Sequence, residues 1–443
     1  MTHTSPADST QRRAFSTRQW VILTVCFAIA MVDGFDMLML SFIAPLVGKQ
    51  FSLAPMQIGK LFAIGYVGAV AGALALGPVA DRLGRRIVLL VSLTIVTIFT
   101  FLCSRAESYD ALLWLRLAAG IGLGGAMPAV IAMTAENMPM QYRASAVTWM
   151  FLGFPMGAVV GGAVTAANLS HGWQAIFVSG SIAALCTIVM ARLVLPETRP
   201  QTEGLRTNVA PLQGIFTSLI AQFGEQRAIP ALLLWLSVFC IMVVSYFLLS
   251  WMPLVLNRAG ISPAKAALAG VLFNLGGITG ALILSFAIKR VGPWRPVAVV
   301  FAAGSCLIWL LGQQIESQAL IFTLLFAIGL CVFGGQISVP ALAVHLFPPE
   351  VRGAGIGWTM GIGRLGSIAG PLIGGALMAT NTSWSNLFLL VAAPTLVAAM
   401  TLMFVEQACA RKARASVTSA AGVTRRSHST NGADSARVQT SQD

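Results

Sequence analysis

The sequence predicts an all-α membrane protein with twelve transmembrane helices in two six-helix repeats, and three observations predict it. The 443 residues are 57% hydrophobic and 10% charged, with a mean hydropathy of +0.81, whereas a soluble domain carries about 25% charged residues. Twelve apolar runs follow one another, each long enough to cross a hydrocarbon core of about 30 Å at about 1.5 Å per helical residue. Matching residues recur in the two halves at a nearly constant spacing.

The chain opens on a polar cytoplasmic segment, 1–19, with Arg12, Arg13 and Arg18. The apolar stretch that follows is too long for a cleavable signal and reads as a retained anchor. The first bundle, 20–195, holds runs at 20–47, 57–80, 87–104, 111–135, 144–168 and 173–195. A polar stretch at 196–228 forms a cytoplasmic linker. The second bundle, 229–405, holds runs at 229–256, 266–288, 296–312, 319–344, 353–379 and 385–405, and residues 406–443 form a Ser, Thr, Ala and Arg-rich tail expected to be disordered.

The net charge of +13 follows topology rather than nucleic acid. With the N-terminus inside, 21 of the 28 Lys and Arg residues fall on inner segments, five on outer loops, and two, Arg116 and Arg364, inside helices. This is the positive-inside pattern, and it places both termini in the cytoplasm.

The repeat is explicit. Pro139, Arg143, Trp149, Gly157 and Gly161 recur 209 residues later as Pro348, Arg352, Trp358, Gly366 and Gly370. Earlier in each half the offset is 208, pairing Gly68 with Gly276, Gly72 with Gly280, Arg82 with Arg290 and Gly84 with Gly292. Parallel repeats of this kind place a substrate site between them near the bilayer midplane.

Four charges lie well inside the runs: Asp33 and Asp36 in helix 1, Arg116 in helix 4 and Arg364 in helix 11. Each costs about 2.5 to 3.5 kcal/mol on insertion scales, so each needs a partner or a purpose. The two aspartates, three residues apart, share a helix face, and close carboxylates in low dielectric do not both ionise without a nearby cation. Depth along the helices allows an Asp–Arg network with Arg116; it is either a static pair holding helices 1 and 4 together or a titrating one. Arg364, read as buried and unpaired, suits a carboxylate ligand held bidentately, or else bonds backbone carbonyls. Its repeat equivalent is Pro155 and that of Arg116 is Leu325, so the scaffold imposes neither charge. Phe35, Tyr246 and Trp358 are candidate aromatic contacts for a substrate, with packing as the plainer alternative.

The loop after helix 2 reads Gly77, Pro78, Val79, Ala80, Asp81, Arg82, Leu83, Gly84, Arg85, Arg86. This run resembles the signature loop of the major facilitator superfamily. Asp33-Gly34-Phe35-Asp36, Arg116 with the glycines that follow it, and Gly361-Ile362-Gly363-Arg364 further resemble the aromatic acid:proton symporters. The resemblance implies a monomeric proton-coupled importer of an aromatic acid in a bacterial inner membrane. It also implies coupling through Asp33, Asp36 and Arg116, and an inner gate of Gly77, Asp81, Arg82, Gly84, Arg85 and Arg86 latched on Glu136, with Arg143 beside it. Proton-driven efflux remains open, as does sugar or polyol symport, because Pro196-Glu197-Thr198-Arg199 resembles a sugar-porter motif. A membrane enzyme is disfavoured, since His3, His171, His345 and His428 are scattered without a buried acid cluster. Neither a cofactor nor a metal is expected, the proton being the coupling ion, and the seven cysteines contain no CxxC pair.

Overall fold

The computed structural model describes residues 15–197, 223, 227–313, 315–348, 351–380 and 382–410. Most of the polar linker, the chain beyond Ala410, and Arg12 and Arg13 lie outside these. Among the described residues twelve helices are long and apolar enough to cross a membrane. They are α1 (Thr17–Gln50), α2 (Pro55–Leu83), α3 (Arg85–Cys103), α4 (Tyr109–Asn137), α5 (Ser145–Asn168), α6 (Trp173–Val194), α7 (Ala228–Arg258), α8 (Pro263–Val291), α9 (Trp294–Leu311), α10 (Gln318–Leu346), α11 (Arg352–Ala379) and α12 (Trp384–Ala410).

Several helices outrun the apolar stretch that announces them. Lys49, Lys60, Arg258 and Lys265, expected in outer loops, sit within the ends of α1, α2, α7 and α8. At the other end of the chain the tail does not begin at residue 406. Helix α12 continues to Ala410, and Glu406 pairs with Arg295 Nε at 2.6 Å. Polar caps set the starts: Ser16 accepts from Gln19 N in a reciprocal capping box on α1, and Ser108 accepts from Ala111 N on α4.

Helix crossings are made by glycine, and they repeat. A Cβ at Gly157 on α5 would stand 1.9 Å from Met31 O on α1, and one at Gly366 on α11 would stand 2.6 Å from Phe239 O on α7. Gly72 on α2 meets Ile121 O on α4 at 2.0 Å by the same measure, and Gly280 on α8 meets Leu330 O on α10 at 2.1 Å. Without a hydrophobic force between helices in lipid, such backbone approach supplies the packing that holds a bundle. The turns repeat as well. Gly84 and Gly292 have φ of 99° and 95°, a region that only glycine enters freely.

Two compact units result. The first comprises Met1–Arg206 with Phe247–Leu275 and Pro371–Asn381; the second comprises Thr207–Tyr246, Gly276–Gly370 and Thr382–Asp443. Within the first unit the Arg258 end of α7 and the Ala379 end of α11 pack on the first repeat. Trp251 donates from Nε1 to Pro371 O at 3.0 Å, and its ring meets Phe62 edge-on at 5.5 Å. Gly59 lies against Pro371 O, where a Cβ would come within 2.8 Å. Within the second unit α10 departs from its counterpart α4: residues Gly329–Phe333 form a π-helical turn, whereas α4 is continuous.

Candidate functional site

Two of the three charges set well inside the helices of the first unit, Asp36 and Arg116, meet. Arg116 Nη1 donates to Asp36 Oδ2 at 2.8 Å, and Arg116 Nη2 donates to the Asp36 main-chain oxygen at 3.1 Å. Both residues are 2% exposed. The Thr100 hydroxyl on α3 completes the carboxylate, donating to Oδ1 at 2.6 Å. On its other side the Arg116 guanidinium lies 6.0 Å from the ring centroid of Phe177 on α6, within cation–π reach. Its Nε is buried without a hydrogen-bond partner. Three helices, α1, α3 and α4, are thereby tied through one carboxylate. Asp33, one turn earlier on α1, is also buried.

Thr100 is the member that the sequence does not single out, since a threonine in an apolar run carries no signal of its own. Phe35, between the two aspartates, is buried with its ring against Gly161 on α5 and Gly180 on α6, where added Cβ atoms would come within 3.2 and 2.9 Å. That position gives Phe35 a packing role.

The second unit carries Arg364, and the expectation that it is buried is corrected: the side chain is exposed. The reason is its helix face. Its neighbours Gly363 and Gly366 take up the contact with Val238, Phe239 and Met242 on α7. Arg364 points elsewhere, on the same stretch as Gly357 and Gly361, beside which there is open space. Among the described residues Arg364 forms no ion pair. Tyr246 on α7 is buried. Trp358 is half-buried, its ring 6.3 Å from that of Trp235, whose Nε1 donates to Thr359 Oγ1 at 3.2 Å.

At the junction of α2 and α3, Arg85, the first residue of α3, forms an ion pair with Glu136 at the end of α4. Arg86 pairs with Glu197 at 3.1 Å and donates to Arg192 O at 2.6 Å, joining α3 to the end of α6. Arg82 is exposed, Gly77 borders open space, and the Asp81 side chain lies outside the described set. Arg143 donates from Nε to Met138 O at 3.3 Å, and its repeat equivalent Arg352 does the same to Phe347 O at 3.3 Å. Each arginine satisfies a carbonyl just past a helix end, the place where cations are favoured.

Twelve spans, duplicated glycine crossings and a sealed intramembrane ion pair define a polytopic membrane protein built for transport rather than for covalent chemistry. The Major Facilitator Superfamily model matches residues 26–365 and again 299–429. The chain belongs to that superfamily. It is 33% identical over 420 residues to the gallate transporter of Pseudomonas putida, covering 89% of this chain and 94% of that one. It is 31% identical over 415 residues to the 4-hydroxybenzoate transporter PcaK of Acinetobacter baylyi, covering 87% and 91%. Among solved structures, a D-xylose-proton symporter superposes with a TM-score of 0.71 at 19% identity, over 86% of this chain and 97% of the other. That likeness concerns the fold alone.

Proposed function

We propose that this protein is a proton-coupled symporter that imports an aromatic carboxylate across a bacterial inner membrane, as a monomer with both termini in the cytoplasm. The observation that carries the reading is the buried Asp36–Arg116 pair. A proton arriving on Asp36 and the Arg116 guanidinium compete for the same carboxylate. Protonation releases Arg116 from Oδ2, and reformation of the pair expels the proton, which is the elementary exchange a symporter needs. Arg364, exposed and without an ion-pair partner among the described residues, supplies a planar fork for the substrate carboxylate. The names of the gallate and 4-hydroxybenzoate relatives support an aromatic acid as cargo. Drawing a monovalent anion into a negative interior costs about 2.3 kcal/mol per 100 mV. One proton therefore makes the step electroneutral, and two make it electrogenic inward.

The test is uptake of labelled 4-hydroxybenzoate by cells expressing the protein, with and without a protonophore. Wild type accumulates the acid only with a proton gradient. Asp36→Asn imitates a permanently protonated carboxyl; it loses uphill accumulation while retaining exchange of internal for external acid. Uptake indifferent to the gradient removes symport, and normal accumulation by Asp36→Asn removes Asp36 from the coupling.

A further inference from the structure

Helix α10 carries a buried amide whose oxygen has no hydrogen-bond partner among the described residues. Gln336 is 8% exposed, its Oε1 is fully enclosed without a hydrogen bond, and its side chain forms none among the described residues. A buried acceptor left unpaired is destabilising, so a residue of this kind persists where something else completes it.

The placement of Gln336 says what that is. The two packed faces of α10 are otherwise occupied. Leu330 and Gly334 lie against Gly280 of α8, while Cys331 and Val332 lie against Gly304 of α9, and Gly335 rests on the Phe301 ring. Gln336 makes no hydrogen bond across either contact among the described residues, so it is not a polar cross-link between these helices. It follows the π-helical turn Gly329–Phe333, and such turns re-aim the residues after them and concentrate at functional positions. The first repeat has neither feature: at the 209-residue offset Gln336 answers to Met127, in a continuous helix. Depth brings it level with Arg364 in the same unit. Gln336 lies ten residues from the Leu346 end of α10 and Arg364 twelve from the Arg352 end of α11, about 15 and 18 Å along their axes.

We propose that Gln336 is a specificity residue that receives a ring hydroxyl of the transported acid while Arg364 takes its carboxylate. This rests on the aromatic-acid reading above. A phenolic O–H, with an ordinary pKa of about 10, is protonated at neutral pH and donates to a carbonyl oxygen. An unsubstituted benzoate leaves Oε1 unpaired, and a site built to bond a hydroxyl rejects the analogue lacking it more strongly than an apolar pocket rejects an added one.

Gln336→Met preserves volume and removes the acceptor. The measurement is the ratio of KM for labelled benzoate to KM for labelled 4-hydroxybenzoate, with melting of the purified protein alone and with each acid. The expected result is a fall in that ratio of about tenfold, the equivalent of one hydrogen bond. It is accompanied by equal or higher melting temperature without ligand and loss of the extra stabilisation by the hydroxylated acid. Equal shifts of both KM values, or no shift in a variant that melts like wild type, overturn the assignment of Gln336 while leaving aromatic-acid transport standing. Wild type that neither transports nor is stabilised by any aromatic acid overturns both. Gln336→Glu, which keeps a carbonyl acceptor, provides the check against a purely structural role: it retains more of the hydroxyl preference than Gln336→Met, and equal loss in the two variants counts against the proposal.

Discussion

Arg116 holds Asp36 at two points, the carboxylate at 2.8 Å and the main-chain oxygen of the same residue at 3.1 Å. The side-chain bond answers to protonation and the main-chain bond does not, so Arg116 keeps a foothold on α1 whether or not the carboxylate is charged.

Removing one partner should therefore be worse than removing both. Arg116→Leu strands a buried carboxylate and should cost about 3 to 5 kcal/mol. The double variant Asp36→Leu with Arg116→Leu should recover much of that loss, although neither transports. Thermal unfolding in detergent checks this. Single and double variants that melt together would show that the pair contributes no coupling energy.

The glycines divide into two kinds, and a single added methyl should tell them apart. At Gly34 and Gly157 a Cβ would stand 1.9 Å from Phe154 O and Met31 O respectively, both main-chain atoms. Gly34→Ala and Gly157→Ala should force α1 and α5 apart and reduce the folded yield severely. Gly357 and Gly361 border open space, and alanine there should leave folding intact. Fluorescence-detected size exclusion of tagged variants separates the outcomes, and a well-folded Gly157→Ala would refute the close crossing.

The proposed orientation rests on the 21-to-5 division of basic residues. In a chain whose exposed Cys186 and Cys306 are replaced by Ser, His171→Cys and Thr382→Cys should react with an impermeant thiol reagent applied to intact cells. Gly204→Cys should react only after lysis. The reverse labelling pattern would invert the topology.

Much of the fold was legible because glycine spacing is a record of backbone contact. The recurrences of Gly157 as Gly366 and Gly72 as Gly280 mark the crossings that the structure makes. The Asp36–Arg116 pairing was legible from depth, since helices crossing the same slab bring residues at similar heights within reach. Direction was not. Phe35 sits two positions past one aspartate and beside the other, yet its ring enters a recess between α5 and α6 that no pattern in α1 announces. Arg364 was expected under cover, and only the register of α11 on α7 shows that Gly363 and Gly366 take the contact. Helix α12 runs past Glu406, which pairs with Arg295 more than a hundred residues away, and hydropathy stops where charge begins even when the helix does not. The π-helical turn in α10 has no composition of its own to betray it.

Every donor and acceptor of the Asp36 network, from α1 through Thr100 on α3 to Arg116 on α4, comes from the same copy of the duplicated segment. The other copy has Leu325 where the first has Arg116, and the first has Pro155 where the other has Arg364. After the ancestral duplication the copies kept their crossings and drifted apart in charge. A recombinant joined after Glu197 within the polar stretch 196–228 from two related genes thus inherits the Asp36 network and the Arg86–Glu197 pair from one parent and Arg364 from the other. Shuffling of this kind exchanges complete sets of buried and exposed charges between lineages, so that one set can diversify without dismantling the other.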